Sequence, residues 1–144
     1  MKLLLIFALS VLFSSMAFSQ DLTGEWRGTS TDIVHNFSEK VRLNFSKRKK
    51  KIDYFVKSYT PTRDSANRPF TLICHVIYKR LSEDSIYLAE DYIVSPHTPF
   101  LDRVCRQEMF LKISAHKGQL ILSGVWKSYI DNCNAKGRIQ FIKQ

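Results

Sequence analysis

Alternation of apolar and polar residues with a period of two is the feature that most limits what this chain can become. In Lys40-Val41-Arg42-Leu43-Asn44-Phe45-Ser46, Val41, Leu43 and Phe45 point one way while Lys40, Arg42 and Asn44 point the other. A strand with one buried face reads this way. The same reading predicts strands near 24–34, 40–47, 51–58, 70–80, 85–94, 104–114, 119–128 and 137–143. Turn and loop signals separate them, among them Lys-Arg-Lys-Lys-Lys, Thr-Pro-Thr-Arg-Asp-Ser-Ala-Asn-Arg-Pro, Leu-Ser-Glu-Asp and Ala-His-Lys-Gly. No stretch shows the repeat of an amphipathic helix. About eight short strands joined mostly by short connections predict an all-β chain. A single antiparallel up-and-down barrel is the expected form, with a β-sandwich as the alternative.

The first 19 residues read as an export signal. Lys2 is the positive start, an apolar run from Leu3 to Phe13 follows, and Ala17-Phe18-Ser19 offers a small-residue cleavage site, with the cut expected after Ser19. The run is shorter than the ~20 apolar residues of a membrane span, and no later segment approaches that length. Residues 20–144 are therefore expected to form one exported domain, secreted or periplasmic and not membrane-spanning. Removing 19 residues from 144 leaves 125, enough for one core and not for two. Lys2 is the only charge removed, so 21 Lys and Arg remain against 13 Asp and Glu, a balance of +8. That excess points to polyanions as partners, such as an acidic glycan or an envelope glycolipid.

Three cysteines fit an oxidising compartment but are too few for a disulfide-dense miniature scaffold. None lies in a Cys-x-x-Cys pair, so zinc and dithiol redox roles have no support. Cys105 starts the sixth expected strand and Cys133 follows the seventh, which places both at one end of an antiparallel hairpin. That pairing is favoured over any that uses Cys74. Cys74 alternates with Phe70, Leu72 and Val76 and reads as a small core residue.

The stretch Leu22-Thr23-Gly24-Glu25-Trp26-Arg27 returns near the end as Leu122-Ser123-Gly124-Val125-Trp126-Lys127. If the first and a late strand meet when the sheet closes, Gly24 and Gly124 permit close backbone approach. Trp26 and Trp126 are then expected to plug one end of the interior, with Arg27, Lys127 or Arg138 over an indole. The Gly24-Glu25-Trp26 opening resembles the Gly-x-Trp motif on the first strand of the calycin group, the lipocalins and avidins. The resemblance implies a barrel and a small apolar ligand. It does not extend to biotin, because Gly28 and Asp32 stand where the avidin pattern has an asparagine and a serine.

Candidate sites follow from these features. A ligand cavity is expected among Trp26, Phe45, Tyr54, Tyr78 and Trp126. Lys47, Arg48, Lys49, Lys50 and Lys51 form a basic hairpin tip able to contact phosphates or sulfates, but no aromatic residue is interleaved for base stacking, so sequence-specific nucleic-acid recognition is not expected. His35, His75, His97 and His116 are scattered without metal-pair spacing, so neither a metal nor another cofactor is expected. The neighbours Glu83-Asp84 and Glu90-Asp91 make no catalytic dyad, one lying in a turn and the other on opposite strand faces. No Gly-x-Ser-x-Gly, phosphate-loop or His-Glu-x-x-His motif occurs. The functional expectation is a non-catalytic binder of a small apolar or amphiphilic molecule. The alternative is an envelope or matrix protein holding polyanions through the basic tip. Apolar residues on both faces of the fourth and seventh strands (Ile73 and Ile77; Ile121 and Val125) further predict that an outer face is covered, by the 95–103 loop or by oligomerisation, or that the fold is a sandwich with an additional layer.

Overall fold

The structure, a computed structural model, describes residues 20–47, 54–63, 66–95, 105–129 and 133–144. The expected signal and cleavage site lie outside the described residues. Eight strands follow in order: β1 (Gly24–Asp32), β2 (Phe37–Lys47), β3 (Tyr54–Arg63), β4 (Pro69–Ser82), β5 (Ser85–Ser95), β6 (Gln107–His116), β7 (Gln119–Ser128) and β8 (Lys136–Lys143). Each is antiparallel to the next, and β1 pairs with β8, from Trp26 opposite Lys143 to Asp32 opposite Gly137. The sheet is a closed barrel, not a sandwich.

Alternation sorts the interior. Trp26, Val41, Leu43, Phe45, Val56, Val76, Ile86, Leu88, Met109, Leu111, Ile113, Leu122, Trp126, Ile139 and Phe141 pack with Leu22 in one buried cluster. Cys74 and Leu72 form a smaller one against Phe70 and Ile93. Burial pushes the Cys74 thiol up to about 12, and it is a free, inert core residue. Cys105 is bonded to Cys133, with their Cα atoms 5.6 Å apart.

Strand bounds differ from expectation mainly around Pro61. The segment Thr60-Pro61-Thr62-Arg63, read from its sequence as loop, belongs to β3. Its residues pair with β4, Pro61 opposite Thr71, whereas the register with β2 ends at Arg42 opposite Tyr59. Beyond that point β3 has a neighbour on one side only, the position where a strand tolerates a residue without an N–H.

The two tryptophans do not share one end. Trp26 lies opposite Leu43 and Lys143, and Trp126 opposite Met109 and Gly137. Lys143 and Gly137 stand near opposite ends of β8, so the repeated motif marks both ends of the interior rather than one. The reason is pairing: β1 meets β8, and β7, which carries Trp126, runs on the far side of β8. The cation over the Trp26 ring is Lys143, 5.9 Å from its centroid, and not Arg27, Lys127 or Arg138. Gly124 does allow close approach, since a Cβ there would lie 1.9 Å from the Phe110 carbonyl oxygen. Gly137 is as tight, with Thr31 O at 1.7 Å and Trp126 Nε1 at 2.8 Å from the same position. Of the outer apolar residues, Ile77 and Val125 stand exposed, and residues 96–103 of the expected covering loop lie outside the described residues.

Candidate functional site

The barrel has two unlike ends. At the end holding residues 20–23 and the C-terminal residues, the segment before β1 folds inward and closes the floor. Leu22 is fully buried, its N–H donates to the Tyr54 hydroxyl at 3.0 Å, and its carbonyl accepts from Trp26 Nε1 at 2.8 Å. Asp21 lies outside this plug and ties it to the strands. Its carboxylate accepts from Lys47 Nζ at 2.8 Å and from the Tyr54 hydroxyl at 3.2 Å, and its carbonyl accepts from Lys143 Nζ at 2.6 Å. The Lys47 ammonium, with the Thr23 hydroxyl, holds the Asp21 carboxyl well below the usual range.

The expected cavity aromatics gather at this floor. Phe45 is 6.1 Å from Trp26, 5.6 Å from Tyr54 and 6.2 Å from Tyr78 by ring centroids, and Tyr54 and Tyr78 are 5.1 Å apart. These rings fill one another's space. Trp126 stands apart from them near the opposite mouth. Of the expected basic tip, Lys47 is occupied by Asp21, and Arg48, Lys49, Lys50 and Lys51 lie outside the described residues.

The opposite end is polar inside. Ser30, Asp32, Ser58 and Glu90 are buried there, and alternation with Val41, Leu43 and Phe45 turns Glu39 to the same lumen. Glu90 is 3% exposed and accepts from the Ser58 hydroxyl at 2.7 Å and the Gln107 N–H at 3.0 Å. The Glu90 carboxylate thereby occupies the place where β5 and β6, paired only as far as Ala89 opposite Glu108, begin to part. Tyr129 donates its hydroxyl to the Glu90 carbonyl, and Arg106 donates to the Asp91 carbonyl, sealing that seam. Asp32 accepts the N–H groups of Val34 and His35 at 2.7 and 3.0 Å and pairs with His35 Nδ1 at 2.8 Å. Two buried polar atoms in this half have no partner among the described residues: Ser30 Oγ and Trp126 Nε1.

A second seam, between β2 and β3, stands open. Where their register ends, a cleft of about 740 Å³ forms, lined by Phe37 and Glu39 of β2, Pro61, Thr62 and Arg63 of β3, and Pro69, Phe70 and Thr71 of β4. None of the five expected cavity residues lines it. Its volume is that of small-molecule sites, roughly 300–1,000 Å³. Glu39 joins cleft to lumen, lying opposite Ser30 in the β1–β2 register.

Burial raises the Glu90 carboxyl, against the opposing pull of Ser58, Gln107 and Arg106. Burial also raises Glu39, with the charges of Glu90 and Asp32 adding to it. At Asp32 burial pushes upward too, but hydrogen bonds from His35 and Val34 outweigh it and leave the carboxyl below its ordinary value. A carboxyl raised on folding binds its proton more tightly folded than unfolded. Its contribution is therefore fully present below the unfolded pKa and is lost as pH rises through the folded one. In Glu90→Gln the amide can still accept from Gln107 and donate to Ser58. Urea midpoints followed from acid to neutral pH should show the variant gaining on the parent as pH rises. A constant difference between the two curves would contradict this.

Sequence reasoning missed this half of the interior. Glu90 was weighed only as a partner of Asp91, which points outward toward His75 at 3.6 Å. The signal was present: Glu90 continues the buried series Ile86 and Leu88, Glu39 precedes Val41 and Leu43, and Ser30 and Asp32 continue from Trp26. Among the described residues, no group of three or more His, Cys, Asp or Glu is placed to hold a metal ion.

The chain is a closed, eight-stranded, antiparallel up-and-down β-barrel with one disulfide, plugged at one end and cleft at the other. No protein-family model matches the sequence, and no curated protein matches it. One solved structure to which it is similar is that of a redesigned beta barrel, 15% identical, covering 85% of this chain and 90% of that one, with a TM-score of 0.46.

Proposed function

We propose that this protein is an exported, lipocalin-like binding protein for a small amphiphilic molecule, which enters at the β2–β3 cleft. The observation that carries the reading is that cleft, whose lining sets Phe37, Phe70, Pro61 and Pro69 beside the carboxylate of Glu39. The lining is four apolar residues and four polar ones, with Thr62, Arg63 and Thr71 beside Glu39, and small-molecule sites combine apolar wall with placed polar groups. Phe37 is 48% exposed at the rim although it lies on the inward side of β2, so it offers an apolar surface that a ligand's tail can cover. The disulfide is consistent with an oxidising compartment. The interior floor is filled by its own rings, so the proposed ligand sits at the β2–β3 cleft and not among the floor aromatics.

Native mass spectrometry of protein purified from its own host tests this, since a bound small molecule would appear as a mass adduct. Calorimetry with C10 amphiphiles should then give saturable binding of one molecule per chain, weakened about tenfold in Phe37→Ser through lost apolar contact. No adduct together with no binding across the panel would refute the reading.

A further inference from the structure

We propose that the cleft selects amphiphiles whose polar end is a cation, an alkylammonium head held by Glu39 with Ser30 behind it. The inference rests on the cleft being a ligand site and adds the chemistry of the head group. Two charged residues line the cleft, Glu39 and Arg63. Arg63 is exposed, and its Nη1 already donates to the Asn67 carbonyl of its own turn at 2.8 Å. Glu39 is half-buried and shares the lumen with two further carboxylates, Asp32 and Glu90. The cations near those two are engaged as well. His35 is bonded to Asp32, and Arg106 donates to the Asp91 carbonyl.

The second observation is independent of charge. Ser30 is 1% exposed and its Oγ has no partner among the described residues. It stands directly across from Glu39 in the β1–β2 register, so the two Cβ atoms are about 4.5–5.5 Å apart. A buried hydroxyl without a partner costs stability, and native interiors seldom leave one so. An ammonium group has three N–H donors and no acceptor, so it pairs with the Glu39 carboxylate that lines the cleft, while the buried Ser30 hydroxyl stands behind that carboxylate and not in the cleft itself. An alcohol offers Glu39 one neutral donor, and a carboxylate meets it with repulsion. Phe37, Phe70 and the two prolines then receive the alkyl tail. Burial first, and then the charges of Glu90 and Asp32, disfavour the charged form of Glu39, and a cation bound beside it would offset that.

The chain's formal charge of +9 draws anions at long range. A preference for a cation therefore has to arise inside the cleft, and about 0.3 M salt suppresses the surface contribution. Calorimetric titration of the full mature protein with decylamine, 1-decanol and decanoate under that condition is the test. Decylamine should bind tightest, about tenfold or more above decanol, with decanoate weakest. In Glu39→Gln, checked for its β-sheet circular-dichroism spectrum, the amine-to-alcohol affinity ratio should fall about tenfold. Binding of all three probes with equal affinity, or with decanoate ahead, would overturn the head-group assignment and leave the cleft reading standing. An unchanged ratio in folded Glu39→Gln would overturn it too. Failure of all three to bind would remove the cleft reading itself. The probe ranking on the unsubstituted chain decides the matter even if Glu39→Gln does not fold.

Discussion

Trp26→Ala is expected to lower the stability of the barrel by about 3–5 kcal/mol, the cost of emptying a large aromatic site in a packed core. Trp26 is completely buried, touches Phe45, lies under the Lys143 ammonium and donates its indole N–H to Leu22 O. Truncation leaves a cavity on the floor and takes away the bond that holds the Leu22 carbonyl in place. Urea unfolding followed by circular dichroism would read the loss as a lower midpoint with little change in slope. A midpoint within experimental error of the parent would show that the floor collapses around the gap, and that the N-terminal plug does not depend on this ring.

The second large effect concerns the mouth. Converting Cys105 and Cys133 together to serine should cost about 3–4 kcal/mol, the chain-entropy value for a loop of 28 residues. The bridge ties the approach to β6 to the approach to β8, beside the seam sealed by Glu90, Arg106 and Tyr129. Its loss should therefore loosen that end of the barrel as well as lower global stability. Peptide mapping without reductant must recover Cys105 linked to Cys133 in the parent. A double variant as stable as the parent, with the link confirmed, would mean that the seam contacts alone hold that end.

Most of the fold was legible because a half-buried strand writes its orientation into every second residue. Val41, Leu43 and Phe45 face the core as their spacing predicts, and the same holds for Ile86 and Leu88 or Ile139 and Phe141. The disulfide was legible because antiparallel order alone brings Cys105 and Cys133 to one end. The placement of the tryptophans was not. Their shared local context, Leu-x-Gly-x-Trp, says nothing about which strand closes on which, and closure through β8 separates them.

The candidate site was hidden for a different reason. Polar residues are counted as outward-facing in a reading by alternation, so Ser30, Glu39 and Glu90 were passed over even though their parity places them inside. Pro61 concealed the cleft in a similar way. A proline marks a loop in most sequences, and only the loss of a neighbouring strand lets one sit within β3. The aromatic residues chosen as a cavity lining were inward-facing, but spacing along a strand does not reveal that four rings from three hairpins meet and fill the volume between them.

The parting of β2 from β3 also bears on how the molecule behaves in a crowd. Strand pairing round a closed barrel leaves few borders for another chain to join, but the split between β2 and β3 exposes a short one on each side. Pro61 withholds a donor in the middle of one of them, and Lys40 places positive charge along the other. The opening thus discourages the polypeptide additions that lead to aggregates.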